Sequence, residues 1–317
     1  MKQTETSARQ HRFLSVEQAL LPACRLAHGN VAARIGRWFG LLLLLFVRPG
    51  YAVAESGDNP FLEDLYAIRY EAGAALLGVT IQGVRTWNWG SSSFRVNPEG
   101  WFGEDTGAGG VDKLGHAFAG SALTNIFGDQ LLDKGRSHDR AALNAFLTSQ
   151  ALMLYVEVFD GFSEDHGFSY EDLLMNLGGG LLGYARIRYP SVRDLVDYRM
   201  EYVPSGNVGF RPFSDYEGQK FLLALKFAGM ESVSRTPLRY LELQAGYYAR
   251  GFSKEEELKG ASPARHVFLG LGLNLNQLFL GQKNPHESTK RRVGRLFFEN
   301  IQVPGTAIRT EHEIQAH

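Results

Sequence analysis

The sequence predicts an α+β protein: an N-terminal bundle of about four helices followed by a C-terminal antiparallel β region. Three observations carry this. Apolar residues recur with helical spacing between about residues 60 and 187. From about residue 200 the period changes to two, with Leu241, Leu243, Ala245 and Tyr247, then Val267 to Leu275, alternating with other residues. No apolar run reaches the roughly 20 residues that a classical spanning helix needs. The 317 residues, 44% hydrophobic and 21% charged, suit a folded chain of one or two domains.

The first element is an export signal. Arg34 and Arg37 precede the apolar run Trp38–Val47, and Ala52-Val53-Ala54 follows a Pro-Gly turn. A basic segment, an apolar core of about ten residues and an A-x-A site are the order of a secretory signal. Residues 1–54 are thus read as a signal peptide with an over-long basic segment, and a start codon near Val31 would explain the excess. Leu21-Pro22-Ala23-Cys24 has the look of a lipoprotein box but precedes the apolar run, which argues against lipidation there. Cys24 is the only cysteine, so the chain beyond residue 54 can form no disulfide.

Net charge is −1, and seven Lys/Arg against two acids fall in residues 1–54, which leaves the remainder mildly acidic. No basic field or basic-aromatic patch exists to recruit nucleic acid. The expected surroundings are the cell envelope or a membrane surface, in the periplasm or at the outer membrane of a Gram-negative cell.

A helical domain is expected over 58–195. Asn59 caps a helix over 60–85, with Pro60 in its first turn and Glu63 and Asp64 at its positive end. A loop from Trp87 to Gly110 holds three of the four tryptophans and is read as packing over a core or walling a pocket. Helices follow at about 112–132, 138–159 and 170–187. Small residues crowd the first and last (Gly115, Ala117, Gly120; Gly178, Gly179, Gly180, Gly183), which implies close helix–helix approach. Tight bundle packing is favoured over membrane embedding, because Asn144, Gln150 and Glu157 interrupt the middle helix. The β region is placed at 200–303 with four to six strands, Phe221–Phe227 and Phe297–Val303 being weaker candidates. An outer-membrane barrel ranks second, since such barrels need about eight strands. A tail over 304–317 is expected to be disordered.

One polar constellation stands out. Asp112 and His116 lie one turn apart on one helix; Glu157 and Asp160 close the second; Ser169 caps the third, which carries Asp172 and Asn176 four residues apart. A histidine with several carboxylates suits a divalent metal, with Asp112, His116, Glu157 and Asp160 as ligands, or general acid–base catalysis by the same four. The favoured reading is a polar network that locks the helices together, with Ser169, Asp172 and Asn176 in it. A small polar ligand is the third reading. No nucleophile elbow, P-loop, dinucleotide fingerprint or His-Glu-x-x-His is present.

The runs Gly100-Trp101-Phe102-Gly103, Gly110-Val111-Asp112-Lys113-Leu114-Gly115-His116-Ala117, Glu157-x-x-Asp160-Gly161 and Gly167-Phe168-Ser169-x-x-Asp172-x-x-x-Asn176-x-Gly178 resemble the YfiM-like family over about residues 60–187. That resemblance implies an envelope location and a helical domain in periplasmic, often lipid-anchored proteins, and implies no reaction. Glu157, Ser169, Asp172, Asn176 and the following glycines are also loosely similar to VanZ-like membrane proteins, which implies helices close to a membrane. The function expected is a structural or binding role in the envelope. The alternative is a metal-assisted hydrolase acting on an envelope lipid or glycan.

Overall fold

The computed structural model describes residues 59–282 and 287–314; the expected signal peptide lies outside the described residues. The expected first helix is two: α1 (Pro60–Ala67), capped by the Asn59 side chain, and α2 (Arg69–Thr86), broken at Ile68. Then come α3 (Val111–Asp133), α4 (His138–Asp160), α5 (Tyr170–Arg188) and the short α6 (Pro190–Leu195), all within two residues of expectation where expected. The remainder is β1 (Val196–Tyr202), β2 (Gln219–Lys226), β3 (Leu241–Arg250), α7 (Lys254–Leu258), β4 (Ala264–Leu273), α8 (Leu275–Leu280), α9 (Thr289–Asn300), β5 (Ile301–Gln302) and β6 (Ala307–Ile314). Helices precede strands, so the class is α+β.

Within the bundle, α3 is the central helix, packed against α4, α5 and the sheet. Its approach to α5 depends on glycine. A Cβ on Gly179 would lie 1.8 Å from the Ala117 carbonyl oxygen, and one on Gly120 would lie 2.5 Å from that of Asn176. Both collisions are with backbone, so no rotamer change relieves them. From α4, Ser149 Oγ donates to Gly120 O of α3 (3.1 Å) and Gln150 Nε2 to Asn176 O of α5 (3.2 Å), which ties all three helices together.

The sheet has six strands in the order β5-β1-β2-β3-β4-β6. It is antiparallel except that the two-residue β5 pairs parallel with β1, which corrects the all-antiparallel expectation. Two further corrections concern its end. Phe297 belongs to α9, an amphipathic helix whose Arg295 and Glu299 are buried. The expected disordered tail instead supplies β6, which pairs along β4 from Gly272↔Ala307 to Arg265↔Ile314. The tail's few apolar residues hide this strand in the sequence, because most of its side chains stay exposed.

Edge strands β5 and β6 are joined by only four residues, 303–306, so the sheet must curl towards closure. Glu201 of β1 meets Arg309 of β6 at 2.7 Å although three strands lie between them in sheet order. A flat sheet would separate them by about 19 Å at 4.8 Å per strand. The face turned inward by the curl is ionic beside a small buried apolar cluster of Leu222, Ala224, Tyr248 and Phe268. Arg199 donates to Glu242 (2.6 Å) and Asp197 (2.5 Å), Lys226 to Asp197 (2.6 Å), and Arg309 also to Gln244. From Asp197 the chain of charges continues through Arg186 and Glu299 to Arg193 and Asp129. The opposite face carries the period-two leucines. Its Tyr198, Met200, Phe221 and Ala249 are buried against Val111, Ala117 and Phe118 of α3, while Leu223, Leu243, Leu269 and Leu271 remain exposed.

Candidate functional site

The constellation gathers where the N-termini of α3 and α5 meet the C-terminus of α4. Each helix brings its polar residues there on the face turned to its neighbours. Lys113 is 1% exposed, and its Nζ lies 2.7 Å from Glu99 Oε2, 2.7 Å from Asp112 Oδ2 and 2.9 Å from Asp172 Oδ1. One ammonium thus fills the space among three carboxylates. The other oxygen of Asp112, Oδ1, is buried without a hydrogen-bond partner.

One turn along α3, His116 sits between two carboxylates. Its Nδ1 is 3.1 Å from Glu157 Oε1 and 3.2 Å from Asn176 Oδ1, and its Nε2 is 3.9 Å from Asp172 Oδ2. Asn176 Nδ2 in turn donates to Glu157 Oε1 at 3.0 Å. Glu157 is 1% exposed, whereas the His116 side chain retains 19% of its surface. Asp172 is therefore shared: one oxygen faces Lys113 and the other faces His116.

Ser169 caps α5 through Asp172 N–H (3.2 Å), and its hydroxyl donates to Glu171 (3.1 Å), whose other oxygen accepts from Gly100 N–H (3.2 Å). Asp160 stands apart from the histidine's immediate partners and accepts from the Trp89 indole N–H at 2.6 Å. Trp89 itself is buried against Trp87, Tyr155 and Phe159, so the tryptophan loop covers the end of α4. Of the other histidines, His138 donates to the Ile187 carbonyl and His266 stacks on Tyr248; both lie away from the cluster.

Electrostatics at the loop side follow from burial. The Glu99 carboxyl is pushed up to about 7 by burial and by the nearby Asp172 charge, against the pull of Lys113. His166, in the α4–α5 loop, is held below its ordinary value by burial.

Among the described residues, two groups of side chains have the geometry to hold a cation. In one, ligand atoms of His116, Glu157 and Asp172 lie within 4.8 Å of one another; in the other, so do those of Glu99, Asp112 and Asp172. Lys113 already occupies the second. The expected set of Asp112, His116, Glu157 and Asp160 is not the one that converges: Asp172 stands beside His116 and Glu157 where Asp112 and Asp160 were expected. The sequence reading also passed over Lys113, Glu99 and Trp89. Lys113 carried a signal, because a cation in the first turn of a helix opposes the helix dipole and needs an acidic partner.

Residues 98–188 match the model of a family described as predicted periplasmic lipoprotein (DUF2279). The match includes the Gly100–Ala117 and Gly167–Gly178 runs and every member of the cluster except Trp89. Comparison with curated proteins and with solved structures returned no match. In line with the family description, the chain is an exported envelope protein, periplasmic or outer-membrane-associated.

Proposed function

We propose that the protein has a structural or binding role in the envelope, and that its polar constellation is the lock that fixes α3, α4 and α5 in one arrangement. The supporting observation is that both cations of the cluster are already engaged. Lys113 is surrounded by three carboxylates, and each ring nitrogen of His116 faces a different one. A metal ligand would instead point one free nitrogen at a shared centre with the carboxylates. Buried charges that are paired in this way impose a specific helix register and contribute little net stability.

A second reading is a metal-assisted hydrolase acting on an envelope lipid or glycan. It is favoured by the convergence of His116, Glu157 and Asp172 and by the partial exposure of His116. In that reading a divalent ion held by these three would polarise a bound water. Elemental analysis of the purified protein beside His116→Ala separates the two. The lock predicts no stoichiometric metal in either form and a marked loss of melting temperature in the variant. Near-stoichiometric metal that disappears in the variant would establish the hydrolase reading instead.

A further inference from the structure

We propose that the bundle and the outer face of the sheet are embedded in membrane hydrocarbon, as one continuous lipid-facing surface. The inference does not depend on the role of the polar cluster.

The helices are inverted relative to those of a water-soluble bundle. In water, helices bury leucine and expose charge. In α4 every exposed position from Leu143 to Val158 is apolar: Leu143, Leu147, Ala151, Leu154 and Val158. The same helix buries Asn144, Thr148, Ser149 and Glu157. Helix α5 repeats the pattern, exposing Leu174, Leu177 and Leu181 while burying Asp172, Asn176, Gly179, Gly180 and Gly183. In α2 the exposed residues between Ala74 and Val84 are likewise apolar, and Thr80 is buried. Small and polar residues inside with leucines outside is the packing of helices in lipid.

Length and hydropathy agree. Among the described residues α4 is long and apolar enough to cross a membrane, with mean hydropathy 1.3 over its most apolar window. Of that window 44% is buried, and its exposed positions form one apolar stripe along the helix. Leu143 to Val158 spans about 22 Å at 1.5 Å per residue, close to the roughly 25 Å apolar band of outer-membrane proteins.

Charge and aromatic residues mark the two edges. At one end Lys134 pairs with Glu71, Arg188 with Asp139, and Arg136 and Arg140 with Glu63. At the other lie Glu99, Asp112, Glu164 and Asp165. Exposed aromatics stand at the same levels: Tyr70 and Tyr189 beside Arg69 and Arg188 at the first end, Trp101 and Tyr170 at the second. Such belts sit where hydrocarbon meets headgroups.

The apolar surface continues onto the sheet. A groove of about 410 Å³ runs between Gly178 and Leu182 of α5 and Leu223, Ala245 and Tyr247 of the strands. Beyond it lie the exposed Leu243, Leu269 and Leu271. These leucines alternate with the residues of the inward face and so point away from the space that the curl encloses. The helices pack on this same outer face, through α3.

The test is thiol labelling of variants of the full chain that each add one cysteine, Leu154→Cys and Leu269→Cys beside Glu164→Cys, in isolated membranes with a charged maleimide; labelling of the parent chain, which carries Cys24, is subtracted. Embedding predicts that the two leucine positions label at least about tenfold more slowly than position 164, because hydrocarbon suppresses thiolate formation. Mild detergent should close most of that gap. Equal labelling in membranes would overturn the proposal, even for a chain held at the membrane by an anchor. Protection that survives mild detergent would overturn it in favour of a protein partner on this face.

Discussion

Lys113 of α3 and Asp172 of α5 meet at 2.9 Å with 1% and 6% of their side chains exposed. That single contact joins the two halves of the constellation, since the other oxygen of Asp172 faces His116. It also crosses the glycine-lined seam between α3 and α5, so the ion pair and the close backbone approach depend on each other.

The seam is testable with two adjacent substitutions. Gly179→Ala places a methyl 1.8 Å from the Ala117 carbonyl oxygen, whereas Gly178→Ala meets nothing within 4 Å. Denaturant titration in detergent should show a loss of at least about 2 kcal/mol for Gly179→Ala, the scale of overpacking against atoms that cannot move aside. Gly178→Ala should be neutral or gain up to about 1 kcal/mol from helix propensity. Equal effects at the two positions would show that the helices are not this close.

Trp89 ties the covering loop to Asp160 through one indole N–H at 2.6 Å. Trp89→Phe keeps most of the ring packing and removes that donor. It should cost about 1–3 kcal/mol, the penalty of leaving a buried acceptor unpaired. The paired variant Trp89→Phe with Asp160→Leu should recover part of the loss, read from the same melts.

Part of the pH dependence of stability follows from Glu99, beside Asp160, whose carboxyl burial also raises to about 7. The Glu99 carboxyl is raised from 4.5 to about 7 in the folded protein. Between those values the folded state binds more protons than the unfolded one, so stability falls as pH rises through this window. Melting temperature between pH 4.5 and 8 should therefore decline on the alkaline side. In Glu99→Gln this part of the slope should be gone, with the variant gaining most at pH 8. An unchanged slope would mean that Glu99 is not the group responsible.

Much of the fold was legible in the sequence because it rests on local signals. The caps at Asn59 and Ser169 and the period-two runs through β3 and β4 each act within a few residues. The site was partly legible for the same reason: Asp112, His116, Asp172 and Asn176 stand at helical spacings that put them on shared faces. What was missed is long-range. Glu99 reaches Lys113 from a loop, and Trp89 reaches Asp160 across 71 positions. Asn144 and Glu157 interrupt α4 in the sequence, where their direction is not legible. Both turn inward, Asn144 to Asp64 at 2.6 Å and Glu157 to His116. Strand β6 escaped notice because its partner β4, not its own hydrophobicity, holds it in place.

The central claim is that the constellation is an energetic lock between helices. A double-mutant cycle on Lys113→Met and Asp172→Asn, followed by denaturant unfolding in detergent, tests it most directly. The account predicts that Lys113→Met alone costs about 3–5 kcal/mol, because it leaves buried carboxylates without their cation. It predicts a coupling of about 2 kcal/mol between the two sites, with the double variant less destabilised than the sum. Additivity within about 0.5 kcal/mol would contradict the lock and leave the cluster to be explained by chemistry instead.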